Sequence, residues 1–409
     1  MTSGPRTPAF TGTGRRRLLH AAALSGPALL TGAAGCTAGD VADASRSGAA
    51  SAAPLATGEP VPFRAARQPG IAGHVQAYAA FVAFDLVADA DADTVRRLLR
   101  VWSDDIERLM GGRAPLTDQE PELAAHPAGL TVTVGVGPAI PALVGAPAPR
   151  WLAPLPAYSI DKLEDRWSGG DLILQVCADS PVTLAHAQRR LSVDVADLAA
   201  VRWVQRGFRE PLPVAENRVG MRNLFGQVDG SINPDVSGAD AGVVWPDHPA
   251  VPWLKDGTSM VIRRVAMDLA TWDKVGRLDR ENSIGRRLTD GTPLTGGAET
   301  DTPDFDAVTA LGFPVIDDGA HVRRARPVQP HERFLRRPYS YDDSGPDGVE
   351  AGLIFVAFQG DPLRQFDPVQ RRLAEVDLLN IWTTPIGSAV FAILPGIGTE
   401  EYLGKALLG

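Results

Sequence analysis

Cysteine is scarce in this chain. Cys36 and Cys177 are the two cysteines among 409 residues. They lie on opposite sides of a candidate cleavage point, so no disulfide framework is implied. No Cys/His cluster has zinc spacing. Positive charge is also short, with 40 Lys and Arg against 49 Asp and Glu, a net charge of −9. The first 36 residues hold four arginines and no acid, and removing them takes the balance to −13. Nucleic acid rewards basic patches, so it is excluded as a partner class. Nor is there an apolar run fit to span a bilayer. The stretch from Ala21 to Ala34 is too short and too rich in Gly and Ala. Length is not lacking, and a chain of this size buries a large core in two or more domains.

The N-terminus has the layout of an export signal. Arg15-Arg16-Arg17-Leu18-Leu19 precedes the mildly apolar run, and small residues follow. Paired arginines before leucines resemble a twin-arginine signal, used for proteins exported in the folded state. The run ends Ala33-Ala34-Gly35-Cys36, which resembles a lipoprotein box with lipidation at Cys36. Ala33 stands where that box usually has leucine, so plain cleavage and a soluble product stay open as the alternative. Residues 1–36 are read as the signal. Residues 37–65 begin with an Ala, Ser, Gly and Asp tract that cannot order itself, and are read as a flexible linker.

Beyond the linker the pattern becomes structural. Apolar runs predict strands over 77–86, 130–136, 171–177 and 201–208. Helices are predicted over 93–110 and 181–191, the first with Val95, Leu98, Leu99, Trp102, Ile106 and Leu109 on one stripe. Strand, helix, strand, strand, helix, strand is a ferredoxin-like unit. The second half repeats the plan, with strands over 259–268, 353–359 and 389–394. A helix runs from Leu269 past Arg280 toward Ile284, and another over 368–378. Residues 289–314 are rich in Gly, Pro, Thr and Asp and read as a long functional loop. Cys177, in an apolar run, is expected to be buried.

Two stretches carry chemistry. Asn223-Leu224-Phe225-Gly226-Gln227-Val228-Asp229-Gly230 sets one carboxylate between two glycines on an apolar flank, followed by Asn233-Pro234. A carboxylate so held suits acid–base work, while a bare G-x-x-D-G also suits a surface turn. The other runs Gly319-Ala320-His321-Val322-Arg323-Arg324-Ala325-Arg326, then Leu335-Arg336-Arg337-Pro338-Tyr339-Ser340-Tyr341, then Gly352-Leu353-Ile354-Phe355-Val356-Ala357-Phe358-Gln359. These motifs, in this order, resemble the dye-decolourising peroxidases. The likeness also takes in Gly169 to Asp179 and spans residues 66–394. It points to the exported, deferrochelatase-like branch of that family.

The resemblance implies an α+β fold of two tandem ferredoxin-like units, each an antiparallel sheet with helices. They occupy 66–215 and 216–409, with haem in the second. The implied cofactor is haem b, since no C-x-x-C-H offers covalent attachment. The implied reaction reduces hydrogen peroxide and oxidises organic donors such as dyes and phenolics through a ferryl intermediate. Two other readings stay open: deferrochelation, which releases iron from haem, and non-enzymatic haem binding by a lipoprotein. Of seven histidines, His321 is the implied axial ligand, and His331 lies in a polar loop. Asp229 is implied as the proton-moving group and Arg336 as the fixed cation, with Arg337 the competing choice. Gly226, Gly230, Asn233, Leu353 and Phe355 are implied around the cofactor. Arg323 is favoured over Arg324 and Arg326 as the propionate cation. The acceptor behind His321 stays unplaced, with Asp304, Asp306, Asp317 and Asp318 near only in number. Tyr339, Tyr341 and Trp382 are candidates for carrying electrons from the surface.

Overall fold

The computed structural model describes residues 59–210, 220–248, 250–345 and 348–409. The export signal and most of the linker lie outside the described residues. The first half gives β1 (Tyr78–Leu86), α1 (Ala92–Met110), β2 (Thr131–Val136), β3 (Leu172–Ala178), α2 (Pro181–Val193) and β4 (Ala199–Phe208). A small hairpin, β5 (Met221–Arg222) and β6 (Val228–Asp229), follows. The second half holds β7 (Thr258–Met267), α3 (Arg277–Ile284), α4 (His321–Ala325), β8 (Leu335–Arg336), β9 (Tyr339–Gly345), β10 (Gly348–Gln359), α5 (Pro362–Val376) and β11 (Thr383–Ile393).

The first four strands pair antiparallel in the order β4-β1-β3-β2, and the second set in the order β11-β7-β10-β9. In each half this is fourth, first, third, second, the ferredoxin-like arrangement expected from the sequence. The two sheets also join to each other. Ala392 and Ile393 of β11 pair with Val136 and Gly135 of β2, and Phe208 of β4 pairs with Ser340 of β9. The strand order therefore closes into a ring.

Ring closure explains why the strands read as apolar runs. Along β1, Ala79, Phe81 and Ala83 face an inner cluster with Cys177, Ile354, Val356 and Phe391. Ala80, Val82 and Phe84 face outward into a cluster with Val95, Leu98 and Trp102 of α1. Both sides of the pleat are buried, so neither needs polar residues. Asp91 caps α1, its carboxylate accepting from the Thr94 N–H at 2.8 Å.

Two helices depart from their expected bounds. α5 begins at Pro362, where Asp361 accepts from the N–H groups of Leu363 and Arg364. Pro368 sits inside that helix rather than opening it. The segment after β7 is broken into a short turn of helix over Leu269–Trp272 and α3, with Gly276 at the N-cap of the latter.

Candidate functional site

The outer face of the second sheet, α4, α5 and the hairpin loop enclose a cavity of about 530 Å³. That is within the usual range for small-molecule sites, roughly 300–1,000 Å³. Leu353 and Phe355 of β10 form part of its wall, alternating with the ring-facing Ile354 and Val356. Their partners across the register, Val265 and Arg263 of β7, also line it. Thr302, Pro303 and Phe305, from the segment that the sequence reads as a long loop, close another side.

His321 opens α4 and lines the cavity. Its Nδ1 lies 2.7 Å from Oδ2 of Asp377, which is 4% exposed. Oδ1 of Asp377 accepts from the Leu379 N–H at 3.0 Å. Both carboxylate oxygens are thus acceptors, which makes Nδ1 the protonated nitrogen and leaves the Nε2 lone pair free. The ring is 30% exposed. Burial opposes charging it, but the charge and hydrogen bond of Asp377, helped by Asp229, outweigh burial and raise its pKa. Asp377 is the acceptor that the sequence left unplaced. Asp317 spends Oδ1 on the Gly319 N–H, and Asp318 lies beside Arg323.

Asp229 ends β6 and lines the same cavity. The turn before it needs Gly226, at φ +75°, to close the hairpin through the Gly226 N–H and the Asn223 carbonyl. Gly226 does not itself line the cavity, whereas Gly230 does. Arg336 reaches Asp229 Oδ1 with Nη1 at 3.3 Å. It is held from two sides, since β8 pairs with β10 and Asn233 pairs with the other edge. The Asn233 amide donates to the Arg336 carbonyl at 2.9 Å and accepts from its N–H at 3.1 Å. Asn233 positions Arg336 and is not among the cavity residues.

Arg337 points the other way. It is 1% exposed and donates to the carbonyls of Ile71, Gly73 and His74 and to Gln76 Oε1. The structure therefore separates the pair, with Arg336 in the site and Arg337 in the scaffold.

Other candidates fall elsewhere. Arg323 does not line the cavity; it donates to the carbonyls of Phe305 and Ile316 and so braces the long loop. Arg324 bonds Glu375, and Arg326 lines the cavity. Sequence reasoning missed Arg263 and Arg286, both buried in the wall. Arg263 pairs with Asp161, and Arg286 donates to the carbonyls of Gly291, Glu299 and Asp301. Tyr339 and Tyr341 are wholly buried inside the ring, so neither is a surface relay. Trp382 is half-buried against Trp272, whose ring stacks on Phe225 of the cavity wall. His331 is exposed and outside the cavity.

These residues fit a haem. One imidazole offers a free Nε2, the walls are mostly apolar, Arg326 supplies a further cation, and a carboxylate and a guanidinium share the same enclosure. Comparison with known proteins agrees. Residues 68–209 match the model of the Dyp-type peroxidase N-terminal domain, and residues 220–398 that of the C-terminal domain. A dye-decolorizing peroxidase of Thermobifida fusca is 41% identical over 363 residues, 84% of each chain. A deferrochelatase of Escherichia coli O6:K15:H31 is 32% identical over 381 residues, 87% of this chain and 89% of that one. The crystal structure of a DyP-type peroxidase from Cellulomonas bogoriensis superposes with a TM-score of 0.84 at 51% identity, covering 86% of this chain and 99% of that one. Ferric DtpA from Streptomyces lividans gives 0.82 at 38%, covering 86% and 98%. With both halves matched in order and the pocket residues in place, the chain belongs to the Dyp-type peroxidase family.

Proposed function

We propose that this chain is a haem peroxidase that reduces hydrogen peroxide in the His321 cavity and oxidises organic donors, dyes and phenolics among them. The observation that carries this reading is the Asp229–Arg336 pair, 3.3 Å apart, in the same enclosure as His321. Bound haem supplies the electrons and the site at which the O–O bond is cleaved. Asp229 takes a proton from the inner oxygen of peroxide and returns it to the outer oxygen, which leaves as water. Arg336 holds a fixed positive charge where negative charge develops. Leu353, Phe355 and Phe305 keep water out, so that charge acts at low dielectric. His321, with Nδ1 fixed by Asp377, presents Nε2 as the cofactor's ligand atom.

The test is an absorption spectrum of the purified haem protein before and after one equivalent of peroxide, then after an added donor. A rapid spectral change that the donor reverses is expected, and an unreactive protein would overturn the reading. The curated deferrochelatase relatives keep iron release as a second reading. Protoporphyrin appearing from added haem would favour it. Simple haem storage needs neither Asp229 nor Arg336, which argues against that role.

Export by the twin-arginine route is part of the proposal. It rests on Arg15, Arg16 and the apolar run, all outside the described residues. Replacing Arg15 and Arg16 should retain the protein in the cytoplasm, and unchanged export would refute the route. Lipidation at Cys36 predicts that Cys36→Ala releases the mature protein from membranes. No helix among the described residues is long and apolar enough to cross a membrane.

A further inference from the structure

The hydrogen bond between His321 and Asp377 joins two segments that have little hold on themselves. α4 is five residues long, carries no side-chain cap at its N-terminus and has no buried residue. So short a helix does not fix its own position. Asp377 stands at a junction, as the C-cap of α5 and the N-cap of the next turn, Leu378–Ile381. What brings the two segments to one distance is backbone contact at Gly319. Its carbonyl accepts from the Leu378 N–H at 2.9 Å, a bond one residue from Asp377 on one side and two from His321 on the other. Its N–H donates to Asp317 Oδ1 at 2.8 Å. The Gly319–Leu378 and His321–Asp377 bonds are neighbouring rungs between the same pair of segments.

No side chain fits at Gly319. A methyl carbon on its Cα would stand 2.9 Å from the Val376 carbonyl oxygen and 3.1 Å from Leu378 Cγ. Carbon–oxygen contacts normally begin at about 3.3 Å and carbon–carbon contacts at about 3.5 Å. The Val376 oxygen belongs to the backbone at the end of α5, so it cannot swing aside as a side chain would. Gly319 is not among the residues with positive φ, so the glycine serves closeness and not an unusual backbone angle. Elsewhere on α4, a methyl on Gly285 would collide with Val322. α4 is thus seated against two glycines and has little room to readjust. Parting the Gly319 and Val376 backbones by about 0.4 Å would relieve the overlap. The same shift carries the His321–Asp377 bond from 2.7 Å to about 3.1 Å, from the length of a charge-assisted bond to the long end of an ordinary one.

We propose that Gly319 is a positioning residue of the cofactor site. It holds His321 close enough to Asp377 for the carboxylate to keep the Nδ1 proton and make Nε2 a strong ligand. The inference rests on the peroxidase reading, in which Nε2 is the ligand atom for haem. Gly319 does not line the cavity and acts through that distance alone. A longer bond passes less negative charge to the ring, so Nε2 becomes a weaker base. A weaker base stabilises the ferric state less, and reduction becomes easier.

The test uses the haem-loaded mature enzyme as wild type, Gly319→Ala, Asp377→Asn and the double variant. Haem affinity is read by titrating the apoprotein, the iron–histidine stretch by resonance Raman spectroscopy of the ferrous protein, and the reduction potential by spectroelectrochemistry. Gly319→Ala should weaken haem binding roughly three- to tenfold, less than the ten- to hundredfold typical of losing the partner outright. The stretch should move to lower frequency and the potential upward. In the Asp377→Asn background the same change should move neither further, because the carboxylate it serves is already gone. A merely structural glycine would lower the melting temperature and leave stretch and potential at wild-type values, and that result overturns the proposal. Equal spectroscopic shifts with and without Asp377 overturn it too. If Gly319→Ala does not fold, Asp317→Ala decides in its place. It frees the Gly319 N–H from an exposed position, and should move the stretch the same way by less. An unmoved stretch there refutes the positioning role. A wild type that binds haem without an iron–histidine stretch overturns the cofactor reading itself, and the proposal with it.

Discussion

Replacing Asp377 by Asn tests the logic of the cofactor site with almost no change of shape. Asp377 accepts on both oxygens, from His321 Nδ1 at 2.7 Å and from the Leu379 N–H at 3.0 Å. An Asn side chain can accept on one side only. If its carbonyl keeps the Leu379 N–H, its amide donates toward His321 Nδ1. That nitrogen must then be the acceptor, the proton moves to Nε2, and the ligand lone pair is gone. If the amide turns the other way, Nδ1–H is satisfied but two donors meet at Leu379. A buried donor left unpaired costs about 1–3 kcal/mol. Either way the haem-competent arrangement loses on the order of 1–3 kcal/mol, which agrees with the ten- to hundredfold loss of affinity typical when a ligand histidine loses its partner. Titration of the apoprotein with haem, followed by Soret absorbance, should show that weakening. The retained haem should be easier to reduce, because a less basic imidazole stabilises the ferric form less. His331→Ala is the control and should bind haem as wild type does. An Asp377→Asn protein with wild-type haem affinity and unchanged reduction potential would refute the argument.

Asp229→Asn and Arg336→Leu should each slow the first reaction with peroxide while haem stays bound. Expected losses are about a hundred- to ten-thousandfold for the proton-moving group and a hundred- to a thousandfold for the charge. Stopped-flow measurement of the double variant should give less than the product, since both act on one transition state. Asn233→Ala removes both hydrogen bonds to the Arg336 backbone and should slow the same step less than Arg336→Leu, with unchanged haem content. Arg337→Leu strips the partners from three carbonyls and Gln76, and should lower the melting temperature strongly, by the mechanism of stranded buried acceptors. Asp105, buried on α1, has its pKa pushed up to about 7, first by burial and then by Asp194 and Asp104. A folded pKa above the unfolded 3.8 means stability is full below about pH 4 and is lost as pH rises through 7. Asp105→Asn should therefore be more stable than wild type at pH 8 in urea unfolding, with the gap closing at pH 4.

What the sequence made legible follows the reach of each signal. Strands buried on both faces appear as apolar runs, and the α1 stripe from Val95 to Leu109 appears at helical spacing, because neighbours along one element share one period. The ordered motifs brought His321, Asp229 and Arg336 forward. Closure of the ring was not legible, since it hangs on two residue pairs between β11 and β2 and one between β4 and β9. Asp377 was hidden for a similar reason. It lies 56 residues from His321, and its local role is only that of an Asp at the start of a helical turn. The arginines show how much depends on knowing the period. A period of two places Arg323 on His321's side. The segment is a short helix, so Val322, Ala325 and Arg326 share the cavity with His321 while Arg323 turns to the Ile316 carbonyl. Arg336 and Arg337 pose the opposite case. β8 is too short to display a period, and alternation says only that the two point apart. What decides between them is an edge partner, Asn233, more than a hundred residues earlier in the chain, which fixes the Arg336 backbone so that its guanidinium meets Asp229.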